Sequence, residues 1–366
     1  MDIKYKLKLY NKQHKLLNEL YLFNNLQYTK TLNGIGNMNL TIPFKYLELN
    51  GISLILGQHI ELYKIIGNSE KLLWYGVINS PVPSDGYINV ISLGYPALLQ
   101  NRKFINIELN EDNEWKKTYY NKNYGALIKE IISEINSIHE TGITLGKFNE
   151  TTLKTDRIIN WDDDLYEKIQ EFVEDSNCYF EINKDREFNF YSSIGEDKSE
   201  YYEINDYNII GDWDYTMDQT QIFNVINARV LYKEDEVTNI LTSMAIDEES
   251  INLYGRREKV LNVNDIKLQE TLDNQCKEEL YTYKDPLISC TVEVGISDTF
   301  NIFNINPGDF VTLYSEKYKI NTKIKVLEFT VNINKNTALL TLGNAIFREN
   351  SPVIYRYNRG RWYYGY

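Results

Sequence analysis

Three cysteines (Cys178, Cys276, Cys290) and three histidines (His14, His59, His139) are the residue types here best suited to nucleophilic chemistry. A thiolate hydrolase needs a Cys with a His beside it. Three of each allow nine pairings, and none sits in a local signature of such enzymes. Cys178 precedes a β-like run and Cys276 falls on a helical apolar stripe, so both are expected in the core. The cysteines are too few and too scattered for a disulfide framework or a zinc site. A chain made in a reducing cytoplasm fits them best. There is no His-Glu-x-x-His pattern and no Gly-rich phosphate loop ending in Gly-Lys-Ser/Thr. Gly34-x-Gly36 lacks a third glycine and a following helix, and reads as a turn.

Among 52 acidic residues, Asp162-Asp163-Asp164 is the densest cluster. A calcium loop needs alternating ligands, a Gly and a later Glu, and that pattern is absent. Helix capping with favourable charge at a helix N-terminus accounts for it. A carboxylate pair for glycoside hydrolysis stays open, with no particular pair indicated. Glu234-Asp235-Glu236 and Asp247-Glu248-Glu249 read as solvated loops. The C-terminal residues 345–366 differ: four Arg stand against Glu349 alone, net +3, interleaved with aromatics. Arg and aromatic side chains anchor interfaces. Arg356, Arg359, Arg361, Trp362, Tyr363 and Tyr364 are therefore the candidate partner-docking residues, with a nucleic-acid-binding tail and a frayed end as the alternatives. No catalytic residue, cofactor or metal ligand is assigned.

The elements that would carry these residues fill 366 positions, enough for two to three domains. With 43% hydrophobic and 25% charged residues, the chain can bury a sizeable core. No run approaches the ~18 apolar residues of a membrane span, and no signal peptide is visible. The net charge of −13 argues against tight phosphate binding, which needs a basic face. That charge is uneven. Residues 1–103 hold 11 basic and 6 acidic groups, net +5; residues 104–205 hold 11 and 23, net −12; residues 206–366 hold 17 and 23, net −6. The acidic middle suggests a separate module. Thirty Tyr and 42 Asn accompany only 7 Pro; the plainer reading is the codon usage of an A/T-rich genome, the other a sugar-binding aromatic surface.

The first hundred residues read as four to six β-strands, including 38–43, 59–66, 72–79 and 87–93, with Pro81–Gly86 as a turn-rich break. The middle changes period. Leu127, Ile131, Ile135 and Ile138 follow helical spacing. A second helix starts at Asp164, with Glu167 three residues on as in a capping box. Tyr179–Ile182 and Phe188–Tyr191 flank a hairpin turn. The last part returns to β: 222–232 alternates, Leu268, Leu272, Cys276, Leu280 and Tyr283 mark one helix stopped by Pro286, and strands follow over 287–296, 310–315 and 324–342. Pro307-Gly308 fits positions i+1 and i+2 of a type II turn.

This order of elements resembles the tail-tip or baseplate hub proteins of tailed bacteriophages. One part of the resemblance is the run Thr31 to Pro43, followed by Leu49 to Glu61, Trp74-Tyr75-Gly76-Val77-Ile78 and Leu93 to Arg102. The other is Phe223 to Val230, the long helix, Pro286 to Val294, Pro307-Gly308-Asp309 and the closing hairpin. Together they cover most of the chain; no single motif is specific, and the series is what counts.

The resemblance implies an α+β, mainly β fold, with two tail-tube-like β-barrel or sandwich domains and an intervening acidic α+β module. The expected division is 1–103, 104–205 and 206–345, followed by a basic aromatic tail, 346–366. The implied function is a structural, non-catalytic hub, forming a homotrimeric ring in the virion tail that lets DNA pass. Its partners would be a distal tail or tail-tube protein above and a tip or spike protein below, with no sequence-specific nucleic acid and no membrane span. The rivals are a tail-associated cell-wall hydrolase and a carbohydrate-binding tip protein.

Overall fold

The computed structural model describes residues 4–344 apart from 106, 111–112, 150–153, 235–236 and 264–265. The N-terminal part has seven strands: β1 (Lys4–Tyr10), β2 (Leu16–Leu20), β3 (Asn24–Thr31), β4 (Asn37–Pro43), β5 (His59–Ile66), β6 (Ser69–Ser84) and β7 (Tyr87–Leu93). A short helix, α1 (Phe44–Leu49), follows β4. Seven strands stand where four to six were expected, and β1, β2 and β3 are additional to the four ranges named above. β6 also continues through Pro81 and Pro83 where a break was expected. β5 pairs with β6 only as far as Val77, so both prolines lie where β6 has β7 alone as a partner. An edge position tolerates a residue without an N–H. The β5–β6 turn falls at Gly67-Asn68.

The middle part comprises β8 (Lys116–Asn123), α2 (Tyr124–Ile138), β9 (Thr144–Phe148), β10 (Lys154–Asn160), α3 (Leu165–Asp175), β11 (Tyr179–Ile182) and β12 (Glu187–Tyr191). Both helices are where their apolar spacing placed them. The Asn123 side chain accepts from Ala126 N (2.8 Å) to cap α2. Asp164 caps α3, accepting from Tyr166 N at 3.0 Å and Glu167 N at 3.4 Å. Leu127, Ile131, Ile169 and Phe172 join Phe180, Phe188 and Phe190 in one core, which Val77, Tyr95 and Leu99 enter from the N-terminal part.

The remaining strands are β13 (Glu203–Asn205), β14 (Asp214–Asp218), β15 (Val225–Glu234), β16 (Val237–Ile246), β17 (Glu258–Leu261), β18 (Leu287–Gly295), β19 (Phe310–Ser315), β20 (Ile320–Asn332) and β21 (Thr337–Gly343). Helix α4 (Glu248–Tyr254) precedes β17 and α5 (Gln269–Tyr283) precedes β18. Asp247 caps α4 by accepting from Ser250 N at 2.8 Å, and Glu248 and Glu249 occupy its first turn. That acidic run is a helix start rather than a solvated loop, because the Asp247 carboxylate accepts from the backbone N–H of the third helical residue. Strands β15, β16 and β17 form a separate sheet. Leu272 and Cys276 of α5 pack on its Ile226, Ala228 and Val230.

The fold is mainly β with few helices, as expected, and one sheet joins both ends of the chain. Its path runs β14-β18-β21-β20-β3-β4-β7-β6-β5-β1-β2, with β19 and β13 beside β20, and it is open. The link is β20. Its first half pairs with β19 and its second half with β3, from Glu328↔Thr31 to Asn332↔Gln27. Between the halves the register against β21 shifts at Leu327. A bulge turns one residue out of the alternation, and here the buried Leu327 meets Leu32, whose N–H donates to Leu327 O at 2.9 Å.

Candidate functional site

Where the large sheet meets the α+β module, a cleft of about 440 Å³ is lined by residues including Lys30, Trp74, Tyr75, Phe180, Glu196 and Asp309. Its lining holds no His, Cys or Ser. One wall is fixed by Asn33, in the turn after β3. Its Oδ1 accepts from Phe180 N (2.9 Å) and its Nδ2 donates to Cys178 O (3.2 Å). A buried amide satisfied on both sides thus ties the sheet to β11.

The other wall is built by Pro307-Gly308-Asp309. Asp309 N donates to Asn306 O (3.1 Å) and Gly308 has φ +101°, so Pro307 and Gly308 are the i+1 and i+2 residues of a type II turn, as the sequence indicated. The turn crosses Gly195 (φ +90°), where an added Cβ would lie 2.0 Å from Gly308 O. Asp309 is 2% exposed. Its Oδ1 accepts from Glu196 N (2.8 Å), and its Oδ2 accepts from Asn306 N (2.8 Å) and from Lys198 Nζ (2.8 Å). Burial alone would lower the Lys198 ammonium, but Asp309 and Glu196 outweigh it and hold it above its ordinary range.

Three further lysines reach the same segment. Lys71 Nζ donates to Asn304 Oδ1 (2.6 Å) and Lys30 Nζ to Asn306 Oδ1 (3.3 Å), while Lys64 Nζ lies 4.1 Å from the centre of the Phe303 ring. Lys198 also donates to Asn304 O (2.8 Å). Burial, then the repulsion of Lys71, holds the Lys30 ammonium down at about 8. The ammonium groups of Lys64 and Lys71 are pushed down too, by burial first and by neighbouring lysines second. The cluster is a concentration of positive charge met chiefly by neutral acceptors.

Two of the three histidines also come together, which sequence spacing gave no means to see. Glu61 is 4% exposed and accepts from both Tyr10 Oη and Tyr63 Oη at 2.7 Å. His14 stacks on Tyr10 with ring centres 4.5 Å apart. His14 Nε2 lies 3.8 Å from Glu61 Oε1. His59 Nδ1 is 3.2 Å from Tyr95 Oη. Burial, then the charges of Arg186 and His14, lowers His59 to about 4. His139 stays exposed and apart. Cys178, Cys276 and Cys290 are all buried free thiols, and burial raises each, the opposite of what an attacking thiolate needs. Arg356, Arg359, Arg361, Trp362, Tyr363 and Tyr364 lie outside the described residues.

No protein-family model matches the sequence, and no curated protein matches it. Three solved structures share its fold over nearly their whole length. The 43 kDa tail protein of prophage MuSo2 from Shewanella oneidensis aligns with a TM-score of 0.59 at 12% identity, over 93% of this chain and 98% of that one. Prophage tail protein gp18 from Listeria monocytogenes aligns with a TM-score of 0.58 at 13% identity, over 98% and 100%. A tail protein from Neisseria meningitidis aligns with a TM-score of 0.57 at 13% identity, over 93% and 97%. This is a phage tail-protein fold. Within it, the Asp309 knot and the Asn33 bridge hold the walls of the cleft. Lys30 and Lys198 of the lysine cluster line that cleft. No helix among the described residues is long and apolar enough to cross a membrane.

Proposed function

We propose that the chain is a structural hub of a phage-type tail tip or baseplate. It assembles as a homotrimeric ring between the tail-tube or distal tail protein above and a tip or spike protein below, and DNA passes through the ring. The observation that carries this reading is the single open sheet to which both ends of the chain contribute, in a fold shared almost end to end with prophage tail proteins. In this reading 1–103 and 206–345 are the tube-like modules and 104–205 is the acidic module between them. The segment 346–366, with Arg356, Arg359, Arg361, Trp362, Tyr363 and Tyr364, docks on a neighbouring subunit or tip protein. The hub needs no cofactor and performs no catalysis, consistent with a cleft whose polar groups hold each other in place.

Electron microscopy of tails labelled with an antibody to this chain tests the reading, together with the solution mass of the purified protein. Label at the tail tip and a particle of three 43.1 kDa chains are the expected results. Label along the tail shaft or absent from tails overturns the hub. Clearing of peptidoglycan in a zymogram overturns the non-catalytic reading.

A further inference from the structure

We infer that the cluster of Lys30, Lys64 and Lys71 is a docking surface for the acidic face of α3 in a second copy of this chain. The inference rests on the ring proposed above and says which surfaces meet in it.

Lys64 and Lys71 are cross-strand partners in the β5–β6 hairpin, and Lys30 comes from β3. All three converge on residues 303–306. Among the described residues none of the three has a carboxylate within ion-pair distance; of the lysines on this segment only Lys198 does. Lys64 is 7% exposed, and its ammonium lies over the Phe303 ring. Gathering like charges with part of their hydration removed is unfavourable unless an opposite charge arrives. Burial first and neighbouring lysines second lower all three ammonium groups, and the more distant carboxylates of Glu181 and Asp309 at Lys30 and of Asp298 at Lys64 offset this only in part.

The matching excess lies on the α+β module, whose span carries net −12. On α3, Glu171, Glu174 and Asp175 stand together. Their local cations are Lys168, 2.8 Å from Glu171, and Arg157, 2.7 Å from Asp175. Glu174 has neither, and burial followed by its two acidic neighbours raises it above the usual carboxylate range. Two unbalanced surfaces of opposite sign on different modules of one chain suit a head-to-tail contact, which closes into a ring when the rotation allows. A nucleic acid fits less well. Polyanion binding draws on many phosphate contacts over a basic face, and three lysines offer few.

The test uses the full chain in sedimentation velocity, with zero-length carbodiimide cross-linking read by mass spectrometry. Lys71 is exposed, so Lys71→Glu is expected to fold. Lys71→Glu, and separately the pair Glu171→Lys with Glu174→Lys, are each expected to weaken self-association at least tenfold. Combining the reversals is expected to recover most of it, and raising salt should weaken the wild type. Intermolecular Lys71–Glu171 or Lys71–Glu174 cross-links are expected. A wild-type oligomer indifferent to every reversal overturns this docking surface and leaves the ring standing. A wild type that stays monomeric at all concentrations without cross-links overturns both. Binding of a single-stranded DNA oligonucleotide that is lost in Lys71→Glu, with self-association unchanged, assigns the cluster to nucleic acid and overturns the inference.

Discussion

Asp309 and Lys198 meet at 2.8 Å, although 111 positions separate them, and the same carboxylate answers two backbone N–H groups, of Asn306 and Glu196. One side chain thus closes its own turn and clamps a second loop beneath it. The pair anchors the wall of the cleft between the sheet and the α+β module.

Removing that carboxylate leaves two inward-facing N–H groups without their acceptor and leaves the Lys198 ammonium with Asn304 O and Glu196 alone. Each unsatisfied buried donor costs about 1–3 kcal/mol, more when charged. Asp309→Ala is therefore expected to lose about 3 kcal/mol or more in urea denaturation. Asp309→Asn, which keeps one acceptor oxygen and the shape, should lose less. A loss under about 1 kcal/mol for the alanine variant would mean that the turn does not depend on the clamp.

Gly195 and Gly308 pass each other where no side chain fits. A Cβ on Gly195 would meet the Gly308 backbone at 2.0 Å, whereas one on Gly308 would meet the Ile194 side chain at 3.0 Å. Backbone cannot yield as a methyl group can. Both glycines also have positive φ, at a cost of about 1–3 kcal/mol for another residue. Gly308→Ala should fold with a loss in that range, and Gly195→Ala should be markedly worse, failing to give a cooperative transition. The reverse order of severity in thermal melts would refute this account of the crossing.

Much of the fold is legible in the sequence where periodicity is local. The helix over Leu127 to Ile138, the cap at Asp164, the stop at Pro286 and the type II turn at Pro307-Gly308 each need only a few neighbouring residues. What escapes is set by distance along the chain. His14 comes from the β1–β2 turn to meet Glu61 and His59 of β5, and Lys30, Lys64, Lys71 and Lys198 arrive from four separate segments. Pro307-Gly308-Asp309 is a common turn until Gly195, Glu196 and Lys198 come beneath it. β1 had a readable signal, since Leu7 and Leu9 alternate with Lys6 and Lys8. Its lysines disguise an interior strand, because Lys6 is buried between Glu19 (2.9 Å) and Glu70 (2.5 Å).

His59 gives stability a pH dependence of known sign. Its folded value, about 4, lies below the ordinary 6.5 of a histidine, through burial and then the charges of Arg186 and His14. Between those values the unfolded chain binds the proton first, so stability falls as pH drops. The residue's contribution is fully present above about pH 6.5 and is lost progressively towards pH 4, by up to about 3 kcal/mol. His59→Gln, which keeps a polar group for Tyr95, should show a flatter stability profile over this window. Parallel profiles for the two proteins would exclude His59 as the source.

Lys325 makes the opposite case, a charge that the folded chain would do better without. It is half-buried between two aromatic rings, 4.6 Å from the centre of Tyr179 and 5.0 Å from that of Phe310. It donates to Tyr179 Oη at 3.1 Å. Burial lowers its ammonium to about 8. At pH 7 both folded and unfolded chains hold the proton, and the folded one bears the loss of hydration. As pH rises from about 8 towards 10.5 the folded chain releases its proton first, so this penalty fades. Lys325→Met keeps the length and apolar stem, and a Met sulfur suits aromatic neighbours. The variant is expected to be more stable than wild type by about 1–2 kcal/mol at pH 7 after allowance for the lost bond to Tyr179. Its advantage should shrink to nothing near pH 10.5 in urea titrations. A variant less stable at pH 7 would mean that the two rings and the tyrosine hydroxyl compensate the ammonium in full.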